Sequence, residues 1–138
     1  MRKITVAIAV DDKMGIAFNK RRQSRDKMMI EDLVSSQTGT IYVSDYSKTL
    51  FSDFENRIKV VSDPIRDCVD GGCCFIELSG IGDHLSEISS IILYRWNRYY
   101  PSDTVLDINF DEFTLISADE FVGFSHEKIT REIYKINH

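Results

Sequence analysis

The run Lys3–Val10 (KITVAIAV) constrains this chain most, because it is β-branched and almost continuously apolar. A strand with one wet face alternates polar and apolar residues, and this one offers water no polar face. It reads as a central strand covered on both sides, which commits the chain to a sheet with packing above and below. At 138 residues the chain is expected to form one domain, residues 1–138, large enough for a core without staples. A hydrophobic fraction of 43% with 28% charged residues excludes disordered and fibrous classes. The apolar N-terminal run falls far short of the roughly 20 residues of a membrane span. Asp11-Asp12 also follows it where a signal peptide would place small residues, so the segment reads as a buried strand of a cytoplasmic protein.

Further apolar runs recur at spacings that leave room for short helices. Thr40–Ser44, Arg57–Val61, Cys73–Leu78 and Ser90–Trp96 read as strands. The spacing predicts a helix over Arg25–Ser36 with Ser24 as N-cap, Asp26 in the first turn, and Met29, Ile30, Leu33 and Val34 packing inward. Asp45–Phe54 reads as a second helix with Tyr46 inward, and Asp83–Ser89 as a helical turn. Strands separated by helices predict a parallel, covered sheet. After Pro101 the texture changes. Glu112–Ser117 and Lys128–Ile136 read as strands joined through Ala118–His126, an antiparallel hairpin at one sheet edge. The expected class is therefore α/β: a mostly parallel sheet flanked by helices, finished by a C-terminal antiparallel hairpin.

Charge singles out Phe18–Lys27 (FNKRRQSRDK), a basic loop in a chain of formal net charge −5. Outside it, 12 Lys/Arg stand against 21 Asp/Glu. Guanidinium groups at Arg21, Arg22 and Arg25 suit phosphate or carboxylate oxygens, and Asn19, Ser24 and a helix start add polar donors. A solvated basic loop is the plain alternative. The run Tyr94–Pro101 (YRWNRYYP) interleaves arginines with rings, a pattern that suits flat heterocycles. Its Arg98 and Tyr99, past the strand end, are expected to be exposed.

The run Ser125–Lys128 (SHEK) places Ser, His and Glu side by side, but a relay needs side chains that converge from separate segments. His126 reads as an exposed hairpin residue, with general acid–base chemistry or phosphate donation as the functional alternative, and Lys128 as an anion contact. Asp11 and Asp26 are candidates to share a proton or hold Mg²⁺, against plain turn and capping roles. Cys68, Cys73, Cys74 and His84 show neither a CxxC nor an HxxxH pair, so the cysteines read as buried thiols and no metal site is assigned.

In element order, the chain resembles a compact dihydrofolate reductase. KITVAIAVDDKMGIAFNK resembles that family's opening strand and loop, and FIELSGIG followed by IILYRW resembles the segment that holds NADPH. The closing hairpin to KITREIYKI has the same layout. That resemblance implies an NADPH-dependent reductase with Asp26 near the start of the helix carrying the catalytic acid. A second resemblance lies in FNKRRQSRD, LYRWNRYYPSDTVLDI and SHEKITREIY, which look like signature runs of short bacterial proteins often labelled ribonuclease Z. It implies RNA processing, specifically zinc-dependent maturation of tRNA 3′ ends. From the residues themselves, the expectation is a small anionic, nucleotide-like ligand at the strand ends. Asn19, Arg21, Arg22, Ser24, Arg25, Arg98, Tyr99 and Lys128 are its contacts, and Asp26 and His126 the acid–base pair. RNA is the alternative partner, no membrane is implied, and the cofactor is left open.

Overall fold

A computed structural model describes residues 2–137. Its frame is a seven-stranded sheet. Four of its strands are β1 (Ile4–Val10), β4 (Ile41–Val43), β5 (Ile58–Val60) and β6 (Cys73–Phe75). The others are β7 (Ile88–Arg95), β9 (Phe113–Phe121) and β10 (Ile129–Ile136). The order is β5-β4-β6-β1-β7-β10-β9, with β1 in the middle, as its apolar run requires. Pairings from β5 to β7 are parallel, and β10 runs antiparallel to both β7 and β9. This is the expected mixed α/β class, a mostly parallel sheet with a C-terminal antiparallel hairpin.

The alternation of β1 divides the core. Val6, Ile8 and Val10 pack with Ile65, Ile76, Ile81 and Leu106 on one face. Ala7 faces the opposite cluster, where helix α1 (Lys27–Ser36) packs Met29, Ile30, Leu33 and Val34 onto the sheet. A small residue in the middle of β1 on that side gives the helix room to approach. A four-residue helix α2 (Pro64–Asp67), with Pro64 in its first turn and Asp63 as cap, brings Ile65 to the other face. No described helix is long and apolar enough to cross a membrane.

Several local expectations change. The basic stretch is not a loop but the turn of a hairpin: β2 (Gly15–Phe18) pairs with β3 (Arg21–Arg22) through Asn19-Lys20. Both turn residues have positive φ, 53° and 59°, the twist that a two-residue hairpin demands. With β8 (Thr104–Val105) these strands form a separate three-stranded sheet. Helix α1 begins at Lys27 with Asp26, not Ser24, as N-cap. The second helix is a 3₁₀ segment, Lys48–Arg57, broken at Phe51 and Phe54, and Tyr46 ahead of it is exposed. Thr49, Ser52 and Asp53 are poor α-formers, which fits the looser winding. Strand β9 runs on to Phe121, so the closing loop shrinks, and His126 within it is 3% exposed, not solvated.

Candidate functional site

The parallel strands β1, β4, β6 and β7 end at one edge of the sheet, where β10 begins. At that edge the best-formed polar cluster centres on Asp26. Its backbone is extended (φ −153°, ψ 121°), which lets the carboxylate fold back to accept from Met28 N at 2.9 Å and cap α1. The same carboxylate accepts from the closing loop: Phe124 N (2.8 Å), Ser125 N (2.8 Å) and His126 Nδ1 (2.9 Å). Burial alone pushes this carboxyl's pKa up, but the Phe124 N–H, the His126 ring and the Ser125 and Met28 N–H groups outweigh it and bring it to about 2. Asp26 is therefore an ionised carboxylate with its acceptor sites filled by its own chain.

His126 is held on every side. Its ring stacks on Trp96 at 4.6 Å and 18° between planes. Its Nε2 lies 2.8 Å from Tyr100 Oη and 3.2 Å from Ser24 Oγ. Gly123 makes this closure possible through room rather than backbone freedom: a Cβ there would lie 2.7 Å from both Asp26 Oδ2 and the His126 carbonyl.

Asp11 and Asp26 do not meet. Asp11, 1% exposed, accepts from Lys13 N, Gly15 N, Gln23 Nε2 and Tyr100 N, which makes it a staple for the turn after β1. Among the described residues no group of His, Cys, Asp and Glu has the arrangement to hold a metal ion. The three cysteines are buried free thiols.

The basic residues spread along this edge instead of converging. Arg22, read as an anion contact, is half-buried and grips Glu77 through Nε (2.8 Å) and Nη2 (3.0 Å), with its guanidinium 4.3 Å over the Tyr46 ring. Arg21 is exposed beside it, and Asn19 N donates to Asp103. Arg25 lines a cleft of about 390 Å³ with Lys27, Thr49, Ser52, Phe124 and Ser125. Arg98 and Tyr99 are exposed beyond β7, Tyr99 under the Lys13 ammonium at 5.5 Å. Lys128 pairs with Glu120 at 3.3 Å.

A second cleft, of about 400 Å³, opens at the carboxyl ends of β4, β5 and β6. Ser44, Ser47, Ser62 and Ser79 line it with Asp63, Glu77 and Tyr46. Glu77 also accepts from Ser47 Oγ at 2.6 Å, so the cleft floor is a wired polar network. None of these residues was named as a ligand contact from the sequence, although Glu77 and Ser79 lie in FIELSGIG, the run that resembles an NADPH-holding segment. One signal was available: Glu77 interrupts the apolar run CCFIEL where a parallel strand ends.

No family model matches the sequence, and no curated protein matches it. Among solved structures, a dihydrofolate reductase from Enterococcus faecalis complexed with NADP(H) and RAB-propyl superposes with a TM-score of 0.68. The alignment covers 98% of this chain and 96% of that one at 10% identity. The chain thus has a dihydrofolate-reductase-like fold, as its element order implies. Nothing in the comparisons supports the ribonuclease Z resemblance.

Proposed function

We propose that the protein binds a small nucleotide-like ligand in the cleft at the carboxyl ends of β4, β5 and β6. The observation that carries this reading is the lining: four serine hydroxyls and two carboxylates beside an aromatic ring and a fixed guanidinium. Hydroxyls and carboxylates suit the hydroxyl groups of a sugar, and a ring edge suits a base. The Arg22 N–H donates to Tyr46 Oη at 3.0 Å, which sets strand β3 at the rim. Exposed Lys20 and Arg21 then supply the phosphate contacts, with Arg22 between them and the floor. The position agrees with the rule that open α/β sheets take ligands beyond the carboxyl ends of parallel strands. The structural neighbour was solved with NADP(H), which favours a nucleotide among phosphate-bearing ligands. About 400 Å³ is at the small end of ligand pockets, so a mononucleotide is the better fit.

Binding is favoured over reduction. A reductase of this fold would use the acid at the start of α1 on its substrate, and here Asp26 is consumed by the closing loop. The test is a thermal-shift screen of mononucleotides, nucleosides and NADPH. A ligand at 100 times its Kd adds about 2.7 kcal/mol, and that raises the midpoint of a domain this size by roughly 10 °C. Arg21→Ala, exposed and outside the core, should keep the ligand-free midpoint yet weaken the phosphorylated ligand about tenfold relative to its nucleoside. A flat screen, or an Arg21→Ala variant that binds both forms as the wild type does, sinks the reading.

A further inference from the structure

The His126 network has a geometry that nucleotide binding does not use. Side chains from two other segments converge on the ring, Ser24 and Asp26 from the stretch before α1 and Tyr100 from beyond β7, an approach from elsewhere in the chain that the Ser125–His126–Glu127 run cannot supply alone. We propose that Ser24, His126 and Asp26 form a nucleophilic relay in which Ser24 Oγ attacks small activated acyl or phosphonyl electrophiles. The reading is independent of the nucleotide cleft, because none of the three residues lines it.

Each part of the relay has its physical support. Asp26 accepts the Nδ1 proton at 2.9 Å, which fixes the tautomer and leaves the Nε2 lone pair for a hydroxyl. Three backbone N–H groups hold that carboxylate in place, and Trp96 stacked on the ring sets its plane. Ser24 Oγ stands 3.2 Å from Nε2. The side chains of His126 and Asp26 are 1% and 0% exposed, whereas Ser24 is partly exposed, so Ser24 is the member of the relay that opens toward solvent. The reaction balances without a cofactor. As the Oγ–C bond forms, the hydroxyl proton passes to Nε2 and the carbonyl π pair moves to oxygen. Collapse of the tetrahedral adduct breaks the bond to the leaving group, which departs with the proton from Nε2. Water, deprotonated by the same nitrogen, then releases the acid and restores Ser24.

Tyr100 competes for the same lone pair. Its Oη is nearer, 2.8 Å against 3.2 Å, and a neutral imidazole has one Nε2 lone pair to share. Removing that hydroxyl should release His126 for Ser24, which turns the competitor into a test.

The experiment treats the full chain with a small alkyl fluorophosphonate and maps adducts by peptide mass spectrometry. Exposed Ser52 serves as an internal reference. Attack forms the Oγ–P bond and expels fluoride, with the proton leaving through His126. The expected result is preferential modification of Ser24, absent in Ser24→Ala, slowed at least tenfold in His126→Gln, and accelerated several-fold in Tyr100→Phe. Modification of Ser24 no faster than Ser52 overturns the proposal, as does a folded His126→Gln protein that reacts at the wild-type rate. Should His126→Gln not fold, Tyr100→Phe decides: an unchanged Ser24-to-Ser52 ratio means that His126 does not serve Ser24.

Discussion

At the scale of single residues, Asp26 and His126 were legible as an acid–base pair, but their direct hydrogen bond, made while the same carboxylate caps α1, was not. They stand 100 positions apart, and no local pattern announces a contact at that distance. The sequence offered Ser24 as the cap because Ser precedes an amphipathic run. Asp26 serves instead, since one carboxylate can both cap the helix and receive the loop. This double duty makes the protein's stability depend on pH in a definite direction. The folded-state pKa of Asp26, about 2, lies below its ordinary value of 3.8. Its stabilising contribution is therefore fully present above about pH 4 and lost as pH falls through 2, amounting to about 2 kcal/mol. Urea unfolding of wild type and Asp26→Asn between pH 6 and pH 2 measures it. Wild type should be the more stable at pH 6, and the gap should narrow by about 2 kcal/mol at the acid end. A gap that stays constant would mean that the ionised carboxylate is not what holds the loop.

At the scale of elements, the order of strands was legible and the closing loop was not. Continuous apolarity placed β1 in the middle of the sheet, and the inward stripe of α1 is buried as its spacing predicts. Those signals are periodic and local. The β2–β3 hairpin escaped because its turn is Asn19-Lys20, where the usual cue is a glycine, and because charge drew the eye to a loop. His126 looked exposed because SHEK is polar, and its burial is decided by contacts with α1 and Trp96 that lie elsewhere in the chain. Gly123 is where this docking is most exposed to mutation. In Gly123→Ala the new methyl meets a carboxylate oxygen and a backbone carbonyl, neither the free end of a flexible side chain. The expected cost is about 1–3 kcal/mol by urea unfolding. Hydrogen exchange should show the loss locally: the Phe124 and Ser125 amides, which donate to Asp26, should lose protection before β1 and β7 do. Uniform exchange across the sheet would show instead that the loop is part of the global unit.

At the scale of the molecule, two sheets have to be kept in register, and among the described residues one ion pair spans them. Arg22 belongs to the three-stranded sheet, and Glu77 follows β6 of the seven-stranded one. The Glu77 side chain is only 7% exposed, so removing its partner strands a carboxylate that Ser47 alone cannot satisfy. Arg22→Met should cost about 3 kcal/mol for that reason. Glu77→Leu should cost less, because the Arg22 side chain is 19% exposed and also donates to the Tyr46 carbonyl. The double variant removes both charges and should recover most of the loss, to within about 1 kcal/mol of wild type. That recovery separates two roles that single substitutions confuse. If the pair only joins the sheets, the double variant should keep the nucleotide-induced thermal shift. If the cleft binds as proposed, the refolded double variant should lose the shift while regaining stability, because the cleft floor has lost the Glu77 carboxylate and the guanidinium that fixes it. A double variant that stays as unstable as Arg22→Met would instead make the pair a structural requirement in its own right, with the ligand contacts confined to Arg21 and the serine rim.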